Sequence, residues 1–170
     1  MIFEFMKQLL LIRHAKSSWN DPSLADFDRP LNERGKQDAP EMAKRLSKRK
    51  IKINAFVSSP AKRARQTCKQ FAAEFDFKKK DIILDPKLYE AGEEKFYAVV
   101  EDLKNKFDTV VIVSHNPGIT SFANSLTEKK IDDMPTCSIF ALKIDTKKWA
   151  DFRDAKKEFW FFDFPKIGAE

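Results

Sequence analysis

Three short apolar runs, each breaking off on polar side chains, constrain this chain more than any other feature. QLLLI stops at Arg13-His14, AFVSS leads into Pro60, and DTVVIVSH stops at Asn116-Pro117. Such runs, apolar without alternation, read as strands buried on both faces. Segments with helical spacing lie between them. NERGKQDAPEMAKRLSKRK (32–50) opens on Asn32 as a cap, and Ser59-Pro60 offers a capping hydroxyl and a first-turn proline ahead of Thr67, Cys68, Phe71 and Phe75. Phe96, Val99, Val100, Leu103 and Phe107 recur at threes and fours, and Asn116-Pro117 precedes GITSFANSL. CSIFALKID and KWADFRD read as an antiparallel pair turning at Thr146-Lys147. The alternation predicts an α/β fold: a three-layer sandwich with a mostly parallel central sheet, helices on both faces and an antiparallel edge. With 170 residues and no repeat or linker-like break, 1–170 reads as a single domain.

In such sheets ligands gather outside the carboxyl ends of the strands, where loops and helix N-termini converge. Arg13-His14, Ser58-Ser59-Pro60 leading to Arg63, and Ser114-His115-Asn116 all fall there. The chain has only two histidines, and this topology brings both into one crevice. A neutral imidazole is a nitrogen nucleophile, and a charged one donates hydrogen bonds. An arginine fork matches phosphoryl oxygens. His14, His115, Arg13 and Arg63, with two helix N-termini, are therefore expected to form a site for a tetrahedral dianion. Two histidines with no Cys or carboxylate at ligand spacing are a poor metal set, so neither metal nor cofactor is expected.

Thirty-two Lys and Arg against 26 Asp and Glu give a charge of +6, which favours anionic partners. The excess lies in short lysine runs such as 78–80, often beside acidic residues, and reads as a solvated face. No nucleic-acid module or aromatic-interleaved basic stripe is present, so no nucleic-acid partner is expected. No apolar stretch approaches the roughly 18–20 residues that cross a bilayer, so no membrane association is expected. Cys68 and Cys137 stand far apart and no secretory leader pattern is found, which points to a reducing cytoplasm.

The motifs resemble the histidine phosphatase superfamily, whose fold is that of the cofactor-dependent phosphoglycerate mutases. LLLIRHAKSSWN carries Arg13-His14-Ala15 where the family opens with Arg-His-Gly or Arg-His-Ala. VSSPAKRARQT carries Ser58-Ser59-Pro60 through Arg63-Ala64 to Gln66-Thr67, and VIVSHNPG carries His115. The three motifs occur in order over about residues 8–145, each at a strand-to-helix junction. The small phosphohistidine-phosphatase branch is the most similar, typified by a bacterial enzyme that removes phosphate from histidine on a phosphorelay protein.

The resemblance implies a metal-independent phosphatase with His14 as nucleophile and a phosphohistidine enzyme intermediate. Arg13, Arg63 and His115 would form the phosphate pocket, with Ser17 and Asn20 as further contacts. Larger members supply a general acid from a loop after the second helix, where this chain has Glu90; the small branch manages without one, and Glu90 as a plain loop residue is the alternative. Arg34 and Arg65 read as surface. The expected partner is a phosphorylated protein, with phosphohistidine leading. The alternatives are a small phosphorylated metabolite, or a non-catalytic module that binds phosphate or phosphoprotein.

The segment 158–170 holds Phe159, Trp160, Phe161, Phe162 and Phe164, too many aromatics for a loose tail. It is expected to fold back over a sheet edge or helix pair and complete the core. The alternative is a homodimer or substrate-protein contact through those rings.

Overall fold

A computed structural model describes residues 6–165. Six strands, β1 Met6–Arg13, β2 Ala55–Ser58, β3 Ile83–Leu84, β4 Thr109–Ser114, β5 Ile139–Asp145 and β6 Lys157–Asp163, form one sheet. Their order is β3-β2-β4-β1-β5-β6. The first four are parallel, and β5 and β6 add an antiparallel edge. Four helices, α1 Glu33–Ser47, α2 Lys62–Glu74, α3 Glu93–Glu101 and α4 Gly118–Leu126, cover the sheet.

Side chains alternate across a strand, and here both sets are apolar. Leu10 and Ile12 of β1, with Val111 and Val113 of β4, pack against Met42 and Leu46 of α1 and Cys68 and Phe71 of α2. Leu9 and Leu11, with Val110 and Ile112, pack against Phe96 and Val100 of α3 and Ile119 and Phe122 of α4. One pair of helices on each face makes the three layers. Arg13 pairs in register with Ser114, and Ser58 with Val113. The three central strands therefore end level, and the residues that follow them stand side by side.

The structure corrects several local expectations. KWADFRD is not a strand; Trp149–Asp151 is a 3-10 turn in which Trp149 and Phe152 are both fully buried. Two large aromatics at a spacing of three suit a helical turn, and the Trp149 indole N–H is fixed by donating to Phe107 O at 2.7 Å. The strand that pairs with β5 is the aromatic segment itself, as β6. A register shift between Ala141 and Leu142 leaves Trp160 unpaired, and Trp160 and Phe161 consequently pack on the same core while Phe159 and Phe162 pack on the other. Residues 166–170 of that segment lie outside the described residues.

Asn32 caps α1 as expected, accepting from Gly35 N–H at 2.9 Å. Ser59 does not cap α2, which begins at Lys62; its hydroxyl accepts from Ala61 N–H. Asn116 does not cap α4 either: Pro117 holds that position, and Asn116 Oδ1 accepts from Thr120 Oγ1.

Two glycines let helix N-termini press on the loops that follow the strands. A Cβ on Gly35 would lie 2.1 Å from Lys16 O, and one on Gly118 would lie 1.8 Å from Ala91 O. Both obstacles are backbone and cannot rotate away. Gly35→Ala and Gly118→Ala are each expected to lower stability by about 2–3 kcal/mol, read as a fall in urea midpoint. A midpoint within error of wild type would show that the loops yield freely.

Candidate active site

His14 follows β1, donates its backbone N–H to Ser114 O at 3.1 Å and is 7% exposed. Its Nδ1–H donates to Ala15 O at 2.7 Å. The proton thereby sits on Nδ1 and the Nε2 lone pair is left free, facing Arg63 Nε–H at 3.3 Å. Ala15 N–H donates to Thr67 Oγ1, and the Thr67 hydroxyl donates to Arg63 O. One threonine thus ties the peptide after His14 to the helix that carries Arg63.

His115 follows β4, and its ring centroid lies 5.0 Å from that of His14. Its Nε2 meets Ser59 Oγ at 2.7 Å. Because Ser59 Oγ already accepts from Ala61 N–H, its own proton can go to His115 Nε2. The imidazole proton then sits on Nδ1, a buried nitrogen with no protein partner among the described residues. Tyr89 packs edge-on against the same ring at 5.6 Å.

Arg63 is 6% exposed, and a buried guanidinium needs partners. Its Nη1 donates to Asp26 O at 2.7 Å and its Nη2 to Asp26 Oδ2 at 3.0 Å. The same carboxylate accepts from Tyr89 O–H at 2.7 Å and Arg29 Nη1 at 2.8 Å. Arg29 also donates to Ser18 O and to the Ser17 hydroxyl. Arg13 donates to Met134 O at 2.7 Å and lies 3.6 Å from Asp133, whose other oxygen accepts from Asn116.

The electrostatics follow from these neighbours. Burial, against a smaller opposing effect of the Ala15 carbonyl, pulls His14 down to about 3, helped by the charges of His115, Arg63 and Arg13. Burial and then Arg63 bring His115 down to about 4. With only protein groups around them both shifts favour neutral rings at pH 7, and a protonated His115 would need an anion beside it. Partial burial works to raise Asp26, but Tyr89, Arg29 and Arg63 outweigh it and hold the carboxyl at about 2.

His14 and Arg63 line a cavity of about 170 Å3 with Arg13, Lys16, Arg29, Ser17, Trp19 and Thr136. Four cations around an unprotonated nitrogen suit an anion of phosphoryl size. A larger cleft of about 600 Å3 adjoins it, sharing Arg13, Lys16 and Thr136. The structure thus brings together His14, Arg13, Arg63, His115 and Ser17. Asn20 is exposed and lines a separate cavity beside Trp19. Glu90 is exposed, with a φ of 57°, and no described hydrogen bond or ion pair ties it to either histidine. Asp26, Arg29, Tyr89 and Trp19 were not anticipated. Among the described residues, no three His, Cys, Asp or Glu side chains gather as a metal set, and no helix is long and apolar enough to cross a membrane.

Comparison with known proteins bears on the family and the fold. Residues 9–96 match the histidine phosphatase superfamily (branch 1). A chloroplastic protein of Arabidopsis thaliana with no assigned activity is 31% identical over 153 residues, covering 85% of this chain and 70% of that one. A structure from Agrobacterium tumefaciens named as a candidate phosphohistidine phosphatase, SixA, superposes with a TM-score of 0.77 at 25% identity, over 94% of this chain and 99% of the other. The protein histidine phosphatase SixA complexed with tungstate gives 0.78 at 21% identity, over 92% and 96%. A mycobacterial glucosyl-3-phosphoglycerate phosphatase shares the fold, with 0.72 at 16%, over 94% and 100%.

The depressed histidines make stability depend on pH with a definite sign. An unfolded chain binds protons on both rings near pH 6.5, whereas the native rings refuse them until about 4 and about 3. The unfolded state therefore binds more protons in that window, and stability falls as pH drops from 6.5 towards 4. The Asp26 contribution runs in the same direction but lower, lost as pH falls from about 4 to about 2. Urea unfolding is expected to lose up to about 2.7 kcal/mol per pH unit near pH 5 from the two histidines, and His115→Gln should roughly halve that slope. A flat profile from pH 7 to 4.5 would mean that the native rings carry protons.

Proposed function

The chain belongs to branch 1 of the histidine phosphatase superfamily, and from that premise we propose that it hydrolyses phosphohistidine on a protein. His14 is the nucleophile, and Arg13, Arg63 and His115 hold the phosphoryl oxygens, with Ser17 beside them. One observation carries the choice of substrate: among the described residues, none of Asp26, Glu90 and Asp133 is arranged as a general acid. Asp26 is held ionised by Tyr89 and two arginines. Glu90 is exposed. Asp133 is engaged by Asn116 and Arg13 and lines the neighbouring cleft. An alkoxide leaving group needs such an acid. An imidazole does not, because with its second nitrogen protonated it departs neutral.

In the first step His14 Nε2 forms a bond to phosphorus while the phosphorus–nitrogen bond of the substrate breaks, its electron pair staying on the departing ring. A dianion beside His115 opposes the effects that keep that ring neutral, so it takes up a proton and donates to a phosphoryl oxygen. Water then attacks phosphorus, the electron pair returns to Nε2, and a water proton leaves with orthophosphate. The pair Cys68 and Cys137, buried and unbridged, suits a reducing compartment such as the cytoplasm. A small phosphorylated metabolite is the second reading, favoured by the adjoining cleft, whose volume is in the range that holds such ligands.

Rapid quench with a phosphohistidine carrier protein should trap acid-labile label on His14, and His14→Ala should abolish both label and turnover. Glu90→Gln should change kcat/KM on that carrier by less than about threefold, against the loss of about 10²–10⁴-fold that removal of a general acid causes. Asp26→Asn, which frees the Arg63 fork, should lower kcat on the order of tenfold to a hundredfold. A sugar phosphate turned over about a hundred times faster than the carrier would move the assignment to the second reading.

A further inference from the structure

Trp19 is 74% exposed, more than any other large apolar side chain among the described residues. One face of its indole is nonetheless covered: the Arg29 guanidinium lies 3.3 Å from the ring centroid. That guanidinium is immobilised by Asp26, Ser18 O and the Ser17 hydroxyl, and its side chain is only 9% exposed. A buried, fully engaged cation beneath the ring fixes the indole as a shelf. The shelf adjoins the phosphoryl site, because Trp19 lines the same cavity as His14 and Arg63. It also lines a further cavity of about 390 Å3 with Asn20 and Glu33, whose side-chain oxygens can accept from a ring N–H.

We propose that the open face of Trp19 is a stacking platform for the leaving group, and that the protein selects phosphoryl groups carried on a planar ring over those on alkyl amines or alcohols. The inference rests on the phosphatase reading of the His14 pocket, but not on histidine being the substrate, since a phenyl ring offers the same π face. A flat ring attached to phosphorus at His14 meets a fixed aromatic surface without ordering a flexible side chain. A flexible alkyl chain presents less area to the same surface and loses more conformational freedom there.

The test has a binding arm and a kinetic arm. Phenylphosphonate and methylphosphonate, whose phosphorus–carbon bonds resist hydrolysis, are titrated calorimetrically into wild type, Trp19→Leu and Trp19→Phe. Wild type is expected to bind the phenyl compound roughly tenfold to a hundredfold more tightly, the range of aromatic stacking. Trp19→Leu should bring the ratio within about threefold, and Trp19→Phe should keep most of the preference. In the kinetic arm, the ratio of kcat/KM for phosphohistidine and phospholysine peptides of one sequence should fall in Trp19→Leu by a similar factor. Poor turnover of phosphohistidine by wild type, with the phenyl preference intact, would refute the substrate proposed above and leave the platform standing. Equal affinities in wild type, no measurable phenylphosphonate binding, or a ratio unchanged in Trp19→Leu would overturn the platform. So would a loss on a carrier protein alone with the phosphonate ratio untouched, which would make Trp19 a protein-docking contact.

Discussion

The Asp26 carboxylate accepts hydrogen bonds from Tyr89, Arg29 and Arg63 at 2.7, 2.8 and 3.0 Å, and the arrangement of the pocket follows from that junction. Arg63 and Arg29 are both nearly inaccessible to water, a placement that costs several kcal/mol per ion without a counter-charge. Asp26 supplies the counter-charge to both while remaining half exposed itself. Those three donors outweigh partial burial and hold its carboxyl at about 2, so the pairing is kept at neutral pH.

The same cations govern the imidazoles. Burial alone disfavours a charged His14, and Arg63 and Arg13 disfavour it further. The groups best suited to hold a phosphoryl dianion are therefore also those that keep the Nε2 lone pair free of a proton. The Ala15 carbonyl completes this by holding the remaining proton on Nδ1. A positive pocket and a neutral imidazole are here two results of one charge distribution. Position comes from the sheet: β1, β2 and β4 end level, so histidines from distant parts of the chain need only the first residue of each loop to meet. Gly35 and Gly118 hold those loops down by admitting backbone where any side chain would clash.

What the sequence reveals divides along the same line. His14, Arg13, Arg63 and His115 were legible because each sits at or just beyond the end of an apolar run, where periodicity changes and chemistry shows against a hydrophobic background. Asp26, Arg29 and Trp19 lie in a polar stretch without periodicity, where Asp26 looks no different from Asp21 or Asp28. Only the folded path of residues 17–31, pinned by the Ser17–Leu31 bridge and by Gln66 accepting from Leu31 N–H, shows which carboxylate reaches Arg63. KWADFRD misled for a different reason. Trp149 and Phe152 have strand-like composition, but a spacing of three with both rings buried is helical, and the long-range pairing of β5 with β6 outweighed local propensity.

Two parts of the chain consequently divide the work at the site. The proposed phosphoryl contacts come from strand ends and the first turn of α2, and they cannot shift without moving the sheet: Arg13 is in register with Ser114, and Ala15 is tethered through Thr67 to Arg63. The groups beyond them belong to irregular segments, Trp19 and Asn20 after β1 and Ile131 to Thr136 before β5. Those segments are held to the rigid set by Asp26 at Arg63, by Asp133 at Arg13 and Asn116, and by Met134 at Arg13 and Thr120. On the proposed function, substitutions among them alter what is accepted next to phosphorus while the four proposed phosphoryl residues stay in place. Arg29, whose guanidinium touches both Trp19 and Asp26, joins the two sets.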